Sequence, residues 1–443
     1  MKLTQEKLKA DDFLTSFCQW ATQDQLSLTN QTLQEARLSY LDTIACIEAG
    51  KNQAISTKID KFNQHFYLND IPTSRAMRYA CQAGILDYDD YEAAGSSHPS
   101  APIIAAVLSI APQLNLRLLD ILEAWVVGYE IIIRMGEALG YGHYAKGWHA
   151  TSTYGPIGCA AAIGRLLRLS SSQFNQALSI ASSSSAGMKL QFGSEAKVVH
   201  EGLAAQAGLQ AAYLAQQGIS AQKDFFDCPD GFKDLYGDSQ STPLNNLDNI
   251  SWGEASKEFP VIRKPWPSCA YTHRIIEAAE KIYQPSLNLE EIESVVISIP
   301  EPWIKVVRFD VPLNEAEARF SAPYCVMMAL MSGSLGPDDF SNQIYLDPKR
   351  QELTKLASVQ TFKVDHQFTE MSPDYPDSVK VTMKDGRNLF QSIGHVKGGS
   401  QNPMSLDDLK IKFNKCSNNS IFFDQFLNAT HEETVLPIFN QIV

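Results

Sequence analysis

The chain has 443 residues, 44% of them hydrophobic and 20% charged, which is typical of a globular protein of two or three domains and excludes a disordered or fibrous one. Its 37 Lys and Arg against 50 Asp and Glu give a net charge of -13. This acidic balance repels nucleic-acid phosphates and anionic lipid, so we expect neither nucleic acid nor a membrane surface as a partner.

The compartment is predicted from the N-terminus, the apolar stretches and the cysteines. The first segment, MKLTQEKLKADDFL, lacks the apolar core of a signal peptide, and the apolar stretches elsewhere are too short or interrupted to span a bilayer. The eight cysteines include no C-x-x-C pair, which favours buried reduced thiols over a redox motif, a zinc site or an iron–sulfur cluster. We therefore expect a cytoplasmic protein.

The first ~260 residues carry apolar side chains at the 3.6-residue period of helices. One such stripe consists of Leu33, Ala36, Leu38, Leu41, Ile44 and Ile47. Between Thr153 and Gly218 the chain is rich in Ala, Gly and Ser. Small side chains at helical spacing let helix axes approach closely, and they also leave room for a ligand beside the backbone. Tight helix packing is the simpler interpretation of this composition.

The pattern changes after Pro267. The β-branched segment IESVVISIP, which ends at Pro300, predicts a strand, and Asp385-Gly386 between alternating runs predicts a β-hairpin. Helices are expected around 273–283 and 322–333.

The last part of the chain is predicted to be helical again. Ser405 is a suitable N-cap, with Asp408 three residues later. The predicted fold is mostly α with an inserted α+β domain. Residues 1–262 and 401–443 would form a large helical domain, and residues 263–400 a smaller α+β lid domain.

Four of the nine histidines lie in polar or Gly/Pro-punctuated segments next to predicted helices. They are His98, His149, His200 and His273. Asp87, Asp89 and Asp90 precede the first of them. His149, Lys197 and Lys264 also lie near predicted helix starts, where the helix dipole makes a cation unfavourable. A bound carboxylate would relieve that conflict, because helix N-termini bind anions. A structural role remains the alternative for each of these residues taken alone.

Other kinds of site lack their motifs. There is no H-E-x-x-H, H-x-H or C-x-x-C spacing, so we expect no metal site. G-x-S-x-G is missing, which argues against a serine hydrolase, and no G-x-G-x-x-G follows a predicted strand, which argues against a nucleotide cofactor.

An ordered set of motifs extends over nearly the whole chain, from about Leu33 to Phe413. It comprises HPSAP, GYEIIIRMGEALG, GWHATSTYGPIGCAAAIGRLLRL, KVVHEGLAAQAGLQAAYLAQQG, KPWPSCAYTH, ARFSAPY and NPMSLDDLKIKF. This set resembles the MmgE/PrpD family, which includes 2-methylcitrate dehydratases, cis-aconitate decarboxylases and iminodisuccinate epimerases. The resemblance implies a helical domain from both chain ends, an α+β lid, a homodimer, and catalysis with no metal or organic cofactor.

The resemblance also implies a set of site residues. Its motifs correspond here to Asp87, His98, His149, Lys197, Lys264, His273 and Tyr324. Dehydration, decarboxylation and epimerisation can all place negative charge on a carbon beside a carboxylate, and fixed cations stabilise such charge. On this basis Lys197, Lys264 and His273 would bind carboxylates and stabilise the carbanion of a small di- or tricarboxylic acid.

Proton transfer is assigned to the remaining residues. His149 would be the main acid–base residue, because imidazole titrates near neutral pH. His98, oriented by Asp87, is the second candidate, and Tyr324 would donate a proton or anchor a carboxylate.

The chain departs from the cis-aconitate decarboxylases next to the paired acids. Those enzymes carry a Thr where this chain has Tyr91, and one extra residue precedes His98 here. Tyr91 is therefore expected to contact the substrate, and the identity of the acid stays open. An epimerase, or a binding protein without catalysis, remains an alternative to a dehydratase or decarboxylase.

Overall fold

The structure is a computed structural model that describes residues 12–66, 70–248, 250–365, 370–417 and 419–439. Residues 1–11, which include most of the segment from which we predicted that no signal peptide is present, lie outside the described residues, as do residues 440–443 of the predicted C-terminal helical region.

The described residues form eighteen α-helices and four β-strands. The helices are α1 (Phe13–Ala21), α2 (Asn30–Lys51), α3 (Ala54–Phe66), α4 (Pro72–Gly84), α5 (Ser100–Ile110), α6 (Leu118–Ala145), α7 (Ala150–Leu166), α8 (Ser171–Ser182), α9 (Ala196–Gln216), α10 (Phe232–Tyr236), α11 (Ala255–Glu258), α12 (His273–Ile282), α13 (Glu315–Arg319), α14 (Ala322–Ser332), α15 (Pro348–Thr354), α16 (Leu406–Cys416), α17 (Ser420–Asn428) and α18 (Leu436–Phe439). The strands are β1 (Ile292–Pro300), β2 (Ala357–Phe362), β3 (Asp377–Met383) and β4 (Asn388–Ile393).

Helix α5 lies inside the helical part of the molecule. All eleven of its residues are buried, and it packs against α4, α6, α7 and α9. It carries no charged side chain, so it can be surrounded by other helices without burying an unpaired charge. The segments that precede α5, α7 and α9 therefore meet around one buried centre.

The C-terminal helices return to the N-terminal ones. Helices α16 and α17 both pack against α2. Lys412 of α16 forms a buried ion pair with Asp42 of α2 at 2.7 Å and donates a hydrogen bond to the carbonyl of Tyr88 at 2.7 Å. The two chain ends thus share one helical body, as the sequence predicted, whereas the exact domain bounds remain a prediction.

The four strands form one mixed sheet in the order β2-β1-β3-β4. β1 pairs in parallel with β2 and antiparallel with β3, and β3 pairs antiparallel with β4 through the turn that contains Gly386. Helices α12 and α14 cover the sheet. Side chains of β3 alternate between buried and more exposed positions, because successive residues of a strand point to opposite faces.

Several predicted elements are confirmed. The predicted strand corresponds to β1, the Asp385-Gly386 hairpin joins β3 to β4, and Ser405 with Asp408 forms a capping box at the start of α16. The predicted helices at 273–283 and 322–333 are α12 and α14. The chain is mostly helical with a small α+β part, and none of the described helices is long and apolar enough to cross a membrane.

Candidate active site

A small cavity lies where the segments before α5, α7 and α9 meet the segment before α12. It is lined by Asp87, Tyr91, Ser96, His98, Tyr144, His149, Phe192, Lys197, Cys269, Ala270, Tyr271 and Phe320. Hence the cavity brings together polar groups from the predicted helical domain and aromatic or small groups from both predicted domains.

Asp87 is the centre of the charged groups. It follows the end of α4 in a left-handed backbone conformation, with φ of +48°. Its Oδ1 lies 2.9 Å from Nζ of Lys197 and 3.4 Å from Nζ of Lys264. Lys197 also donates to Oε1 of Glu201, one turn later in α9, at 2.8 Å. One carboxylate therefore binds two buried ammonium groups, and a second carboxylate binds one of them.

Both predicted helix-start residues in the cavity wall are confirmed in position. His149 is the N-cap residue of α7, and Lys197 is the second residue of α9. Lys264, in contrast, lies nine residues before α12, and its Nζ donates to the carbonyl of Asp87 at 2.9 Å. Its side chain is fully buried and is not part of the cavity wall.

His98 presents one nitrogen to the backbone and the other to the charged centre. Nδ1 lies 2.8 Å from the carbonyl oxygen of Asp90 and 3.2 Å from Oδ2 of Asp89. A carbonyl oxygen only accepts, so Nδ1 carries the hydrogen. In the neutral ring Nε2, which lies 4.0 Å from Oδ1 of Asp87, is then unprotonated and can accept a proton.

The ring of His149 is almost completely buried, with 1% of its surface exposed. Its Nδ1 lies 3.0 Å from Nδ1 of His200, and Phe192 packs edge-on against it. Its Nε2 has no hydrogen-bond partner among the described residues. A buried ring nitrogen without a partner costs free energy, and in a cavity wall it is available to a bound ligand.

Two further predicted site residues, besides Lys264, lie outside the cavity wall. His273, the first residue of α12, donates through Nε2 to the carbonyl of Ser268 at 3.1 Å and packs against Trp266. The hydroxyl of Tyr324 donates to the carbonyl of Asp339. Direct substrate contact by these residues is not what the structure shows, because backbone carbonyls already hold their side chains away from the cavity.

Tyr91 joins the cavity to the predicted lid domain. Its hydroxyl and that of Ser96 both donate to Oε2 of Glu370, which lies between β2 and β3. Burial raises the pKa of Glu370 well above its usual value. A buried carboxyl group with a raised pKa therefore fixes the Tyr91 ring in the cavity wall.

Burial and charge set the protonation states around Asp87. Burial alone would raise the pKa of Asp87, but Lys197 and Lys264 hold it well below its usual value. Burial raises the pKa of Glu201 to about 8, although Lys197 opposes this shift. Burial lowers the pKa of His149 well below its usual value, and Lys197 adds to that effect. Since a pKa of about 8 leaves Glu201 mostly protonated at neutral pH, two ammonium groups face two carboxylates, Asp87 and Asp89, and the site itself is close to neutral rather than strongly cationic.

Three side chains of this cluster are close enough together to be considered as ligands of a metal ion. Asp87, Asp89 and His98 offer ligand atoms that all lie within 4.8 Å of one another. The ammonium group of Lys197 already occupies one side of Asp87. A dication would have to displace or repel it, so the residues present suit protons and ammonium groups better than a metal ion.

The order of the motifs and the residues at the cavity can be compared with known proteins. Residues 15–245 match the MmgE/PrpD N-terminal domain, and residues 266–428 match the MmgE/PrpD C-terminal domain. The chain belongs to the MmgE/PrpD family. This assignment confirms the resemblance on which the site residues were predicted.

Members of the MmgE/PrpD family with known activity are similar to this chain over most of their length. A cis-aconitate decarboxylase of Mus musculus is 26% identical over 420 residues, which cover 87% of this chain and 82% of that protein. A cis-aconitate decarboxylase of Homo sapiens is 26% identical over 90% of this chain and 86% of that protein. One of Aspergillus terreus is 25% identical over 90% and 88%.

Some residues of this MmgE/PrpD site were not assigned a role from the sequence. Glu201 and His200 lie in the same K-V-V-H-E motif as Lys197, and their spacing of three and four residues along a helix predicts that they share its face. This helical spacing is a sequence signal from which both residues could be predicted. Glu370 comes from a distant segment, and no sequence pattern connects it to Tyr91.

Proposed function

We propose that this chain is a cofactor-independent lyase that removes a carboxyl group, as carbon dioxide, from a small unsaturated di- or tricarboxylic acid. The proposal is supported by the activity of its MmgE/PrpD relatives, which are cis-aconitate decarboxylases. The observation that carries it is the small cavity in whose wall Lys197, His98 and the unpartnered Nε2 of His149 meet.

Lys197 is the proposed contact for a substrate carboxylate. An ammonium group has three N–H donors, and Lys197 uses two of them on Asp87 and Glu201. The third donor has no partner among the described residues, so it can bind a carboxylate in the cavity and stabilise the negative charge that develops beside it. Lys264 acts indirectly in this scheme, because it holds the backbone and carboxylate of Asp87.

His149 is the proposed proton donor. When the bond to the departing carboxyl group breaks, its electron pair stays on carbon and is delocalised towards a remaining carboxylate. A proton from Nε2 of His149 then completes the product, so one proton is consumed and one carbon dioxide is released. His98, with an unprotonated Nε2 next to Asp87, is the candidate base if the reaction begins by removing a proton instead.

The reaction type is tested with a panel of acids and three readouts. We expect wild-type protein to release carbon dioxide from cis-aconitate or a related unsaturated acid. New alkene absorbance from a hydroxy acid such as 2-methylcitrate, without carbon dioxide, would show a dehydratase. Exchange of an α-proton in heavy water, without loss of substrate, would show an epimerase. If no member of the panel is turned over or bound, the proposed function is wrong.

The role of Lys197 is tested by the substitution Lys197→Met. We expect kcat/KM to fall by ~10²-fold or more, because a fixed charge next to the developing anion is lost. The matched control is Lys58→Met, which removes an exposed lysine from its ion pair with Glu195 near the start of the same helix. We expect that variant to stay within about twofold of wild type, because exposed pairs contribute little.

Loss of folding has to be separated from loss of catalysis. Lys197→Met leaves two buried acids with fewer partners, which destabilises proteins by about 3–5 kcal/mol in comparable cases. The double variant Lys197→Met with Glu201→Gln removes one of those acids, and thermal unfolding of both variants reports their stability. Wild-type turnover in a folded Lys197→Met protein would contradict the assignment.

A further inference from the structure

The contact between His149 and His200 contains a single hydrogen. Their Nδ1 atoms lie 3.0 Å apart, and two unprotonated nitrogens would repel at that distance. Two protonated nitrogens would clash in the same way. One ring therefore donates and the other accepts.

The two rings differ in their access to solvent. His149 has 1% of its surface exposed and lines the cavity, whereas His200, in the second turn of α9, is only half-buried. The hydrogen bond thus connects a buried ring in the cavity wall to a ring that reaches towards the protein surface. A buried neutral imidazole that gives up its Nε2 proton would become an imidazolate ion unless its Nδ1 gains a hydrogen, and this connection supplies one.

We propose that His200 is a proton-relay residue that passes the shared Nδ1 hydrogen to His149 while Nε2 of His149 gives its proton to carbon, so that His149 does not become an imidazolate ion. The inference rests on the proposed function, since it takes His149 as the group that protonates the carbanion. His200 is a positioning and relay residue here and has no contact with substrate.

The relay leaves both imidazole rings neutral. Before reaction, Nδ1 of His200 donates to Nδ1 of His149, and Nε2 of His149 carries the hydrogen that goes to carbon. As that proton leaves, His149 receives the shared hydrogen on its Nδ1, and His200 takes a proton from water on its own Nε2. Both rings end neutral in the opposite tautomer, and the hydroxide left by the water combines with the released carbon dioxide as bicarbonate. When the product leaves, Nε2 of His149 takes a proton from water in the cavity, the shared hydrogen returns to Nδ1 of His200, and Nε2 of His200 gives its proton back to solvent.

The surroundings favour neutral rings. The charged and titratable groups that act on His149 are Lys197, His200, His98 and Asp87, and the one that acts on His200 is Lys197. Burial first, and then Lys197, lowers the pKa of both rings. No carboxylate of the described residues is hydrogen-bonded to either ring to stabilise an imidazolium ion. A hydrogen bond that can reverse its direction is therefore the way for this pair to move a proton.

The test uses full-length protein with His200→Ala and His200→Asn. Asn places an amide at the position of Nδ1, so it can hold the His149 ring but cannot pass a proton on. We expect kcat to fall by at least ~10-fold in both variants while the binding constant of a non-reactive tricarboxylate stays within about twofold of wild type. Added imidazole should restore kcat of His200→Ala in proportion to its concentration.

Two comparisons separate a relay from a structural role. Gln210→Ala, an exposed position on the same helix, should keep wild-type kcat and show no response to imidazole. Full activity of His200→Asn, or failure of imidazole and its methyl derivatives to restore His200→Ala, would overturn the relay.

A measurement without substrate distinguishes the two proposals. The shared hydrogen should give a downfield ring N–H proton resonance in wild type that is lost in both His200→Ala and His149→Gln. Its absence in wild type overturns the inference whatever the activity. If the resonance is present and no acid is turned over, the proposed function fails, and the relay for that reaction fails with it.

Discussion

At the scale of single residues, the site depends on how Asp87 distributes its contacts. The carboxylate takes part in ion pairs with Lys197 and Lys264, and the neighbouring Asp89 lies beside His98. The cluster is therefore balanced before substrate arrives. A substrate with two or three carboxylates brings negative charge into this balanced and buried environment. The groups that can compensate for it are the neutral histidines.

Ligand binding should consequently take up protons. An anion in the cavity raises the pKa of the nearby rings, which burial lowers in the empty protein. Titration calorimetry with tricarballylate, in buffers of different ionisation enthalpy, should give an uptake of about one proton near pH 7.5. His98→Gln should reduce the uptake, whereas Gln210→Ala should leave it unchanged. Binding with no proton uptake would contradict this account of the charge balance.

Some of the site residues predicted from the sequence line the cavity and others do not, and this difference has a physical reason. Asp87, His98, His149 and Lys197 lie at turns and helix starts, where local pattern indicates a polar cluster, and all of them line the cavity. Lys264 does not line it, nor do His273 and Tyr324. Whether a side chain faces a cavity or lies one layer behind it depends on backbone contacts across distant segments. Such contacts cannot be predicted from a local sequence pattern.

At the scale of elements, small residues determine how closely α7 and α9 approach. A Cβ atom added at Gly208 of α9 would lie 2.4 Å from the carbonyl oxygen of Pro156 in α7. The Ala, Gly and Ser richness noted between Thr153 and Gly218 is therefore explained by helix packing, as its simpler interpretation predicted. The same packing places His149 and Lys197 beside each other, because each lies at the start of one of these two helices.

Gly208→Ala should destabilise the protein. Glycine to alanine usually stabilises a helix by about 0.5–1 kcal/mol, but overpacking against backbone costs about 1–3 kcal/mol. We expect a net loss, seen as a lower midpoint of thermal unfolding. Gly336→Ala is the matched control, because no atom lies within 4 Å of a Cβ added there. A Gly208→Ala protein as stable as wild type would show that α7 and α9 can separate without cost.

The local elements were easier to predict than their pairing. The Asp-Gly turn and the capping box are sequence signals of a few residues, and both are confirmed. β2 was not predicted, because its side chains are half-buried or exposed and lack a clear alternation of apolar residues. Its parallel pairing with β1 joins segments more than fifty residues apart. A connection of that length is not specified by local pattern.

At the scale of the whole molecule, Glu370 connects the two predicted domains. Its buried carboxyl group accepts hydrogen bonds from Tyr91 and Ser96 of the helical part. A carboxyl group whose pKa is raised on folding binds a proton more tightly in the folded state. The contribution of this group to the free energy of unfolding is complete at a pH below its pKa in the unfolded state. This contribution is lost as the pH rises through the pKa of the group in the folded state.

Glu370→Gln should remove this pH dependence. The amide keeps an oxygen that accepts from both hydroxyls but cannot ionise. We expect the variant and wild type to have similar unfolding free energies near pH 4. As the pH rises, the unfolding free energy of wild type should decrease relative to that of the variant, by up to about 1.4 kcal/mol per pH unit. Denaturant unfolding from pH 4 to 9 measures this, with exposed Glu293→Gln as the control. A constant difference across that range would contradict a protonated Glu370.

The aromatic side chains around the cavity set an upper limit on the size of the molecule that reacts there. Tyr144, Phe192, Tyr271 and Phe320 form part of the wall of this small cavity, and all four are buried. Because the space between these rings is small, an acid carried as a thioester of a bulky coenzyme would leave its carrier without room. We therefore expect the ligand to be an acid already released from any carrier, with size as the property that excludes the thioester.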